Sequence, residues 1–328
     1  MKVDAGNDDP FERLRVAFVP TSRVRTATDR INSLMRRGLR ADSADCVAFV
    51  GPSGMGKSTI LRRLLERHPP SLRGRQLIRP VCLVRAPTST GNGSLLTMTL
   101  HALGDPRPGS GEPTLRELRV IGHLRSQEVK LLCFDEVNHL IDSDSDRIGY
   151  KAANVIKSIM LERVCPVVLT GVTHARRVLD TNPQLSGRSR ALIEMRPFDW
   201  RVDADRIEFI AFLGLVERQM GLPEPSHLDH PETAHRIHHV SRGLPGHAVH
   251  LIWFALEERE DDGNRTPCIT AKQLTDAADR LLLREPTRRT NAFRVAPPDA
   301  YAPAPMYEAL KEPRGKGRNL WEQPDDTI

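Results

Sequence analysis

Gly51-Pro52-Ser53-Gly54-Met55-Gly56-Lys57-Ser58 brings together the residue types in this chain best suited to chemistry. The spacing is G-x-x-x-x-G-K-[ST], a loop whose backbone N–H groups surround a polyphosphate where a helix begins. In such a loop Lys57 reaches the β- and γ-phosphates, and the Ser58 hydroxyl ligates Mg²⁺. The expected cofactors are therefore ATP and Mg²⁺. The flanks are those the pattern needs. Residues 46–50 are a short apolar run that reads as a buried strand. Thr59 opens an amphipathic stretch, 59–66, that reads as a helix.

A second acidic element lies downstream. Leu131-Leu132-Cys133-Phe134 is an apolar strand ending in Asp135-Glu136. Ligands of open α/β sheets sit at strand ends. There Asp135 would hold Mg²⁺ through water, and Glu136 would polarise the water that attacks the γ-phosphate. A third strand, 166–170, ends near Thr170 and Thr173, either of which would sense the γ-phosphate. Farther on come Arg188 and Arg190 in Gln184-Leu185-Ser186-Gly187-Arg188-Ser189-Arg190. An arginine acting in trans stabilises transition-state charge and requires a neighbouring subunit, hence an oligomer.

The elements that must position these residues follow from periodicity. Strands at 46–50, 81–85, 131–134, 166–170 and 192–195 alternate with helical patterns at 95–103, 115–126, 148–161 and 173–179. That alternation predicts an α/β fold, a parallel sheet with helices on both faces. After Pro197 the period changes to four helices, a small helical lid domain. The expected organisation is an N-terminal arm and helix (1–40), an ATPase core (41–199), a helical lid (200–283) and a proline-rich, disordered tail (284–328). The first 24 residues read as irregular. The tail suits either a linker or a docking segment for a partner.

Composition sets outer bounds. The chain has 328 residues, more than one compact domain needs, and a formal net charge of +6 that permits nucleic-acid binding. No apolar run is long enough to span a membrane, and the N-terminus is too polar for a secretory signal, so a cytoplasmic location is expected. The five cysteines are widely spaced with no C-x-x-C pair, which predicts core packing in a reducing compartment. His235, His238 and His239 lack an intervening acid or a nearby cysteine, so they read as a histidine-rich surface helix rather than a metal site.

In order and spacing these segments resemble the TniB/TnsC family of AAA+ transposition regulators, over roughly residues 20–260. The resemblance rests on the loop 51–58, Val84-Arg85-Ala86-Pro87, Leu100 to Pro106, Asp135 to Leu140, Pro166 to Ala175 and Gln184 to Arg188. Three departures stand out. Asn138-His139 inverts the usual order, and Ser189 replaces an aromatic. Gly243-Leu244-Pro245-Gly246-His247 puts His247 where the lid would carry a permanent cation, with Arg242 as the nearby alternative.

The resemblance implies a P-loop AAA+ core with Arg188 as the arginine finger. It implies ATP-bound subunits that assemble as a ring or helical filament around duplex DNA. It also implies partners, a target-selector protein and a DDE transposase, that the assembly links. DNA in such a machine is gripped through its phosphates. The candidate contacts are Arg85, Thr88, Ser89 and Asn92 after the second strand, and Arg147 and Lys151 after the acidic pair. Two other classes stay open: an ATP-gated DNA-binding scaffold with little hydrolysis, and a different DNA-associated or signalling P-loop ATPase.

Overall fold

The fold is taken from a computed structural model, which describes residues 9–37, 46–87, 94–140, 146–175, 189–261, 266–283, 290–299 and 301–306. The chain enters through α1 (Pro10–Val16) and α2 (Ser22–Arg37), followed by β1 (Cys46–Val50) and α3 (Lys57–Arg67). A small antiparallel hairpin, β2 (Ser71–Arg73) and β3 (Gln76–Ile78), leads into β4 (Val81–Arg85), α4 (Ser94–Ala102) and α5 (Pro113–Ser126). The core continues through β5 (Leu131–Asp135), α6 (Asp146–Leu161), β6 (Val167–Gly171) and β7 (Ser189–Glu194).

Five strands form one parallel sheet in the order β4-β5-β6-β1-β7. The expected α/β fold is thus the observed one. Side chains of a strand alternate between faces, and both faces here are apolar. Cys46, Ala48 and Val50 point to the layer holding α4, α5 and α6, together with Leu132, Phe134 and Val167. Val47 and Phe49 point the other way, into a layer with α2 and α3. Val24, Ala27, Ile31 and Leu34 recur every three or four residues, so α2 lays one stripe on the sheet. Phe49 and Phe134 are fully buried, and each contributes roughly 1.5–3 kcal/mol by leaving water.

A second core belongs to the helical domain, α7 (Asp203–Met220), α8 (Pro231–Ser241), α9 (Pro245–Asp261) and α10 (Ala271–Leu282). Helix α10 starts in a capping box, Thr270 and Gln273 satisfying each other's backbone N–H groups. No described helix is long and apolar enough to cross a membrane.

Four local expectations change. The stretch predicted as an irregular arm contains α1, capped by Asp9, whose Leu14 and Phe11 pack onto the helical domain. Phe11 meets Trp253 edge-on at 5.0 Å. The helix predicted over 173–179 is a single 3-10 turn, Thr173–Ala175, as far as the described residues run. The histidine-rich face of α8 is no solvent surface: His238 is fully buried, and His235 stacks on Trp200 at 4.8 Å. Residues 290–299 and 301–306, predicted as part of a disordered tail, are irregular but packed, with Asn291, Ala292 and Ala304 buried.

Candidate functional site

Strand β1 lies between β6 and β7 in the sheet, so the loop that follows it lies between the ends of those two strands. The Gly51 N–H donates to the Gly171 carbonyl at 3.2 Å and ties the loop to β6. Gly56 caps α3 with φ at 86°, a left-handed conformation that a side chain would strain. Lys57 is therefore the first helical residue. Its Nζ donates to the Gly51 and Pro52 carbonyls at 2.6 and 2.7 Å, so the amine lies across the loop.

The acidic pair is positioned by the strand order. β6 separates β1 from β5, so Thr170 at its end stands between the loop and Asp135. The Thr170 hydroxyl donates to Asp135 Oδ1, and the Glu136 N–H donates to the same oxygen at 3.0 Å. Asp135 is buried. Glu136 has φ at 57°, uncommon for a residue with a side chain, and this turns its carboxylate toward β4. Arg85 Nε donates to Glu136 Oε2 at 2.5 Å, and His139 Nε2 lies 3.6 Å from that oxygen. The Arg85 hydrogen bond holds the Glu136 carboxyl below the ordinary glutamate range despite partial burial. The carboxylate is charged at neutral pH.

Loop and acids line one cleft of about 340 Å³, bounded by Ser53, Lys57, Ser58, Asp135, Glu136 and Gly171. Its donor set fits a bound Mg²⁺, because the Ser58 hydroxyl and the Asp135 carboxylate are hard oxygens. That ion keeps several waters and takes few protein ligands. Among the described residues no group of three or more His, Cys, Asp or Glu side chains would hold a metal by itself.

A second cavity of about 250 Å³ adjoins the first and shares Gly54, Gly56 and Thr59 with it. Its walls join the apolar Phe18, Met55, Phe212 and Val249 to the polar Arg15 and His250, a slot of a size that suits a planar base. The α1–α2 connection and α9 build it, so nothing in the sequence pattern announced it.

The helical domain closes over the loop by backbone contact. The Gly246 N–H donates to the Gly54 carbonyl at 2.8 Å, and a Cβ on Gly246 would come within 2.8 Å of Gly54 Cα. Next to it His247 lies beside Gly54, with Cδ2 3.3 Å from where a Gly54 Cβ would be. Arg242 caps the end of α8 in a left-handed conformation, and its carbonyl accepts the Ala304 N–H at 2.9 Å. Thr173, the alternative sensor, donates its hydroxyl to the Met306 carbonyl.

The remaining candidates separate by location. Arg85 is 75 % exposed at the end of β4, where it engages Glu136. Arg147 and Lys151 fall in the first turns of α6, and the structure describes only their backbone. Thr88, Ser89, Asn92 and Arg188 lie outside the described residues. Sequence reasoning missed the Arg85–Glu136 pair, since the register that aligns Arg85 with Asp135 appears only once β4 and β5 are known neighbours.

The family model described as bacterial TniB protein matches residues 14–196. No curated protein sequence matches. Among solved structures the chain is similar to Cdc6p from Pyrobaculum aerophilum, at 15% identity and TM-score 0.60, covering 82% of this chain and 70% of that one. It is also similar to the Aeropyrum pernix ORC2 protein in its ADPNP–ADP complexes, at 16% identity and TM-score 0.58, covering 81% and 71%. The Aeropyrum pernix ORC1 protein in complex with DNA matches at 15% identity and TM-score 0.58, covering 83% and 69%. These likenesses show an AAA+ P-loop fold.

Proposed function

Because this chain belongs to the family of bacterial TniB proteins, we propose that it is an AAA+ ATPase that assembles on duplex DNA in its ATP state and links a target-selector protein to a DDE transposase. The observation that carries the ATPase reading is one cleft that joins Lys57, the Glu136 carboxylate and Asp135, which Thr170 holds by a hydrogen bond. Residues 51–58 cradle the triphosphate, and the neighbouring slot takes the base. Ser58 and Asp135 hold Mg²⁺, which when bound neutralises charge on the phosphates. Glu136 orients the attacking water and takes its proton. A bond forms from the water oxygen to the γ-phosphorus as the bond to the β-phosphate oxygen breaks, giving ADP and phosphate. Thr170, through Asp135, senses the departure of that phosphate. His247 sits on the loop to report lid closure, and Arg188 serves a neighbouring subunit's site.

The assembly works in the cytoplasm on nucleoid DNA, with Arg85, Thr88, Ser89, Asn92, Arg147 and Lys151 facing the duplex phosphates. The test is electron microscopy with duplex DNA, with and without a non-hydrolysable ATP analogue. Rings or filaments are expected only with both, and are absent in Arg188→Ala. Dispersed protein under all conditions overturns the assembly.

A scaffold with little hydrolysis is the second reading, and the engagement of Glu136 by Arg85 favours it. Glu136-dependent turnover of ATP separates the two.

A further inference from the structure

Residues 290–299 and 301–306 form a strap with no regular secondary structure that runs from α10 to the end of β6. At its start Asn291 Nδ2 donates to the Thr275 carbonyl at 2.8 Å and to Asp279 at 2.7 Å. In its middle the Tyr301 hydroxyl meets His238 Nδ1 at 2.6 Å, and its ring stacks on His235. At its end the Ala304 N–H donates to the Arg242 carbonyl, and Ala304 is buried with Met55, Met195 and Leu244. Last, the Met306 carbonyl accepts the Thr173 hydroxyl, two residues beyond β6.

The strap therefore begins on the lid and finishes on the ATPase core. Between them it crosses the hinge. The covalent path from core to lid is the segment 195–202, and Phe198 within it is held from the lid side. His238 Nε2 faces the Phe198 carbonyl at 2.9 Å, and the Phe198 N–H donates to the Gly243 carbonyl at 2.9 Å. Tyr301 lies on the opposite nitrogen of the same imidazole. Pro297, Pro298, Pro303 and Pro305 fix φ at four positions of the strap, so it loses less entropy when held.

We propose that this strap sets the lid's position over the nucleotide cleft, with Tyr301 as a positioning residue that acts through His238 and the hinge. The proposal rests on reading the cleft as a nucleotide site. A strap anchored at both ends has a fixed length. Rotation of the lid away from Gly54 must break the Ala304–Arg242 hydrogen bond or pull Met306 off Thr173. Nucleotide release needs that rotation, because Gly246 is hydrogen-bonded to the loop itself. The strap thus controls how long nucleotide stays without touching it.

The test uses the full chain as wild type, Tyr301→Ala and Tyr301→Phe. Two quantities are read: the dissociation rate of a fluorescent ADP, and amide hydrogen exchange at Gly246 without nucleotide. Tyr301→Ala is expected to speed dissociation about tenfold, the effect of removing one or two buried hydrogen bonds. The association rate should stay unchanged, and Gly246 should exchange faster. Tyr301→Phe keeps the ring on His235 and removes only the hydroxyl, so a roughly threefold effect is expected from one neutral hydrogen bond. It carries the test should the alanine variant fail to fold. Wild-type values for both quantities in a folded variant overturn the strap. If the wild type binds no ADP while Gly246 exchange still rises in the variants, the strap stands and the nucleotide reading falls.

Discussion

Arg85 Nε donates to Glu136 Oε2 at 2.5 Å, so the acid best placed to activate water is held by the arginine at the end of the neighbouring strand. The pair is asymmetric. Arg85 is 75 % exposed and Glu136 only 32 %, so the cation can leave for a competing anion more easily than the carboxylate can follow. An exposed pair of this kind is weak, because water and salt screen it. Replacing Arg85 with methionine should therefore raise DNA-free ATP hydrolysis by up to roughly fivefold. A basal rate at or below wild type would show that the pair does not restrain Glu136.

Glu136→Gln keeps the shape of the side chain and removes its basicity. Hydrolysis should fall by about 10²- to 10⁴-fold, the range of general acid–base catalysis. Nucleotide affinity should survive, because the loop 51–58 is held by Gly171 and by Lys57 on its own carbonyls. Single-turnover hydrolysis and equilibrium binding of the same variant check both halves. Equal loss of binding would move Glu136 from chemistry to structure.

Gly246→Ala tests the lid's backbone contact. A Cβ there would meet Gly54 Cα at 2.8 Å and its carbonyl oxygen at 2.9 Å. Neither atom can yield without moving the loop. Overpacking of this kind costs about 1–3 kcal/mol, and here it should appear as weaker nucleotide binding with little change in melting temperature. A lower melting temperature with unchanged affinity would mean that the contact stabilises the fold and does not gate the cleft.

His238 makes the protein acid-sensitive in a defined window. Burial pushes its pKa down to about 4, against the opposing pull of the Phe198 carbonyl and Asp199, with His235 and His239 lowering it further. The folded state keeps the ring neutral while the unfolded chain takes a proton below about pH 6.5. Stability therefore falls as pH drops from 6.5 toward 4, by about 2 kcal/mol between pH 7.5 and 5. Denaturant unfolding at those two pH values should show the difference in wild type. It should largely vanish in His238→Gln, and a variant with the same pH dependence would assign the effect elsewhere.

Arg147 and Lys151 lie one turn apart on α6, so their removal acts on one face of one helix. The double variant Arg147→Ala, Lys151→Ala should weaken duplex binding uniformly across sequences. It should also reduce the slope of log affinity against log salt by roughly 2, about one for each phosphate no longer neutralised. An unchanged slope would place the DNA on another surface.

Much of what lines the cleft was legible in order along the chain. The loop 51–58, the acids at 135–136 and the change of period after Pro197 are local patterns. Backbone sterics and side-chain periodicity give them one meaning wherever they occur. Five apolar strands alternating with helices leave a doubly covered parallel sheet as the packing that buries both faces. Two positions were ambiguous for the opposite reason. Thr170 and Thr173 read alike in one dimension, and only the insertion of β6 between β1 and β5 turns Thr170 onto Asp135 and leaves Thr173 to Met306. Residues 290–299 and 301–306 of the tail were misread because proline content measures backbone stiffness and says nothing of what a stiff segment rests on.

The sequence by itself therefore determined the glycine loop at 51–58, the acidic strand end and the class of fold, because each follows from interactions between residues near in the chain. Only the tertiary structure decided that Arg85 takes hold of Glu136, that Gly246 rests on Gly54 and that Tyr301 reaches His238 beside the hinge. Those partners are 51, 192 and 63 residues apart, and no local spacing encodes them. They meet because strand order, lid docking and burial of the strap bring them together, and those are properties of the packed whole.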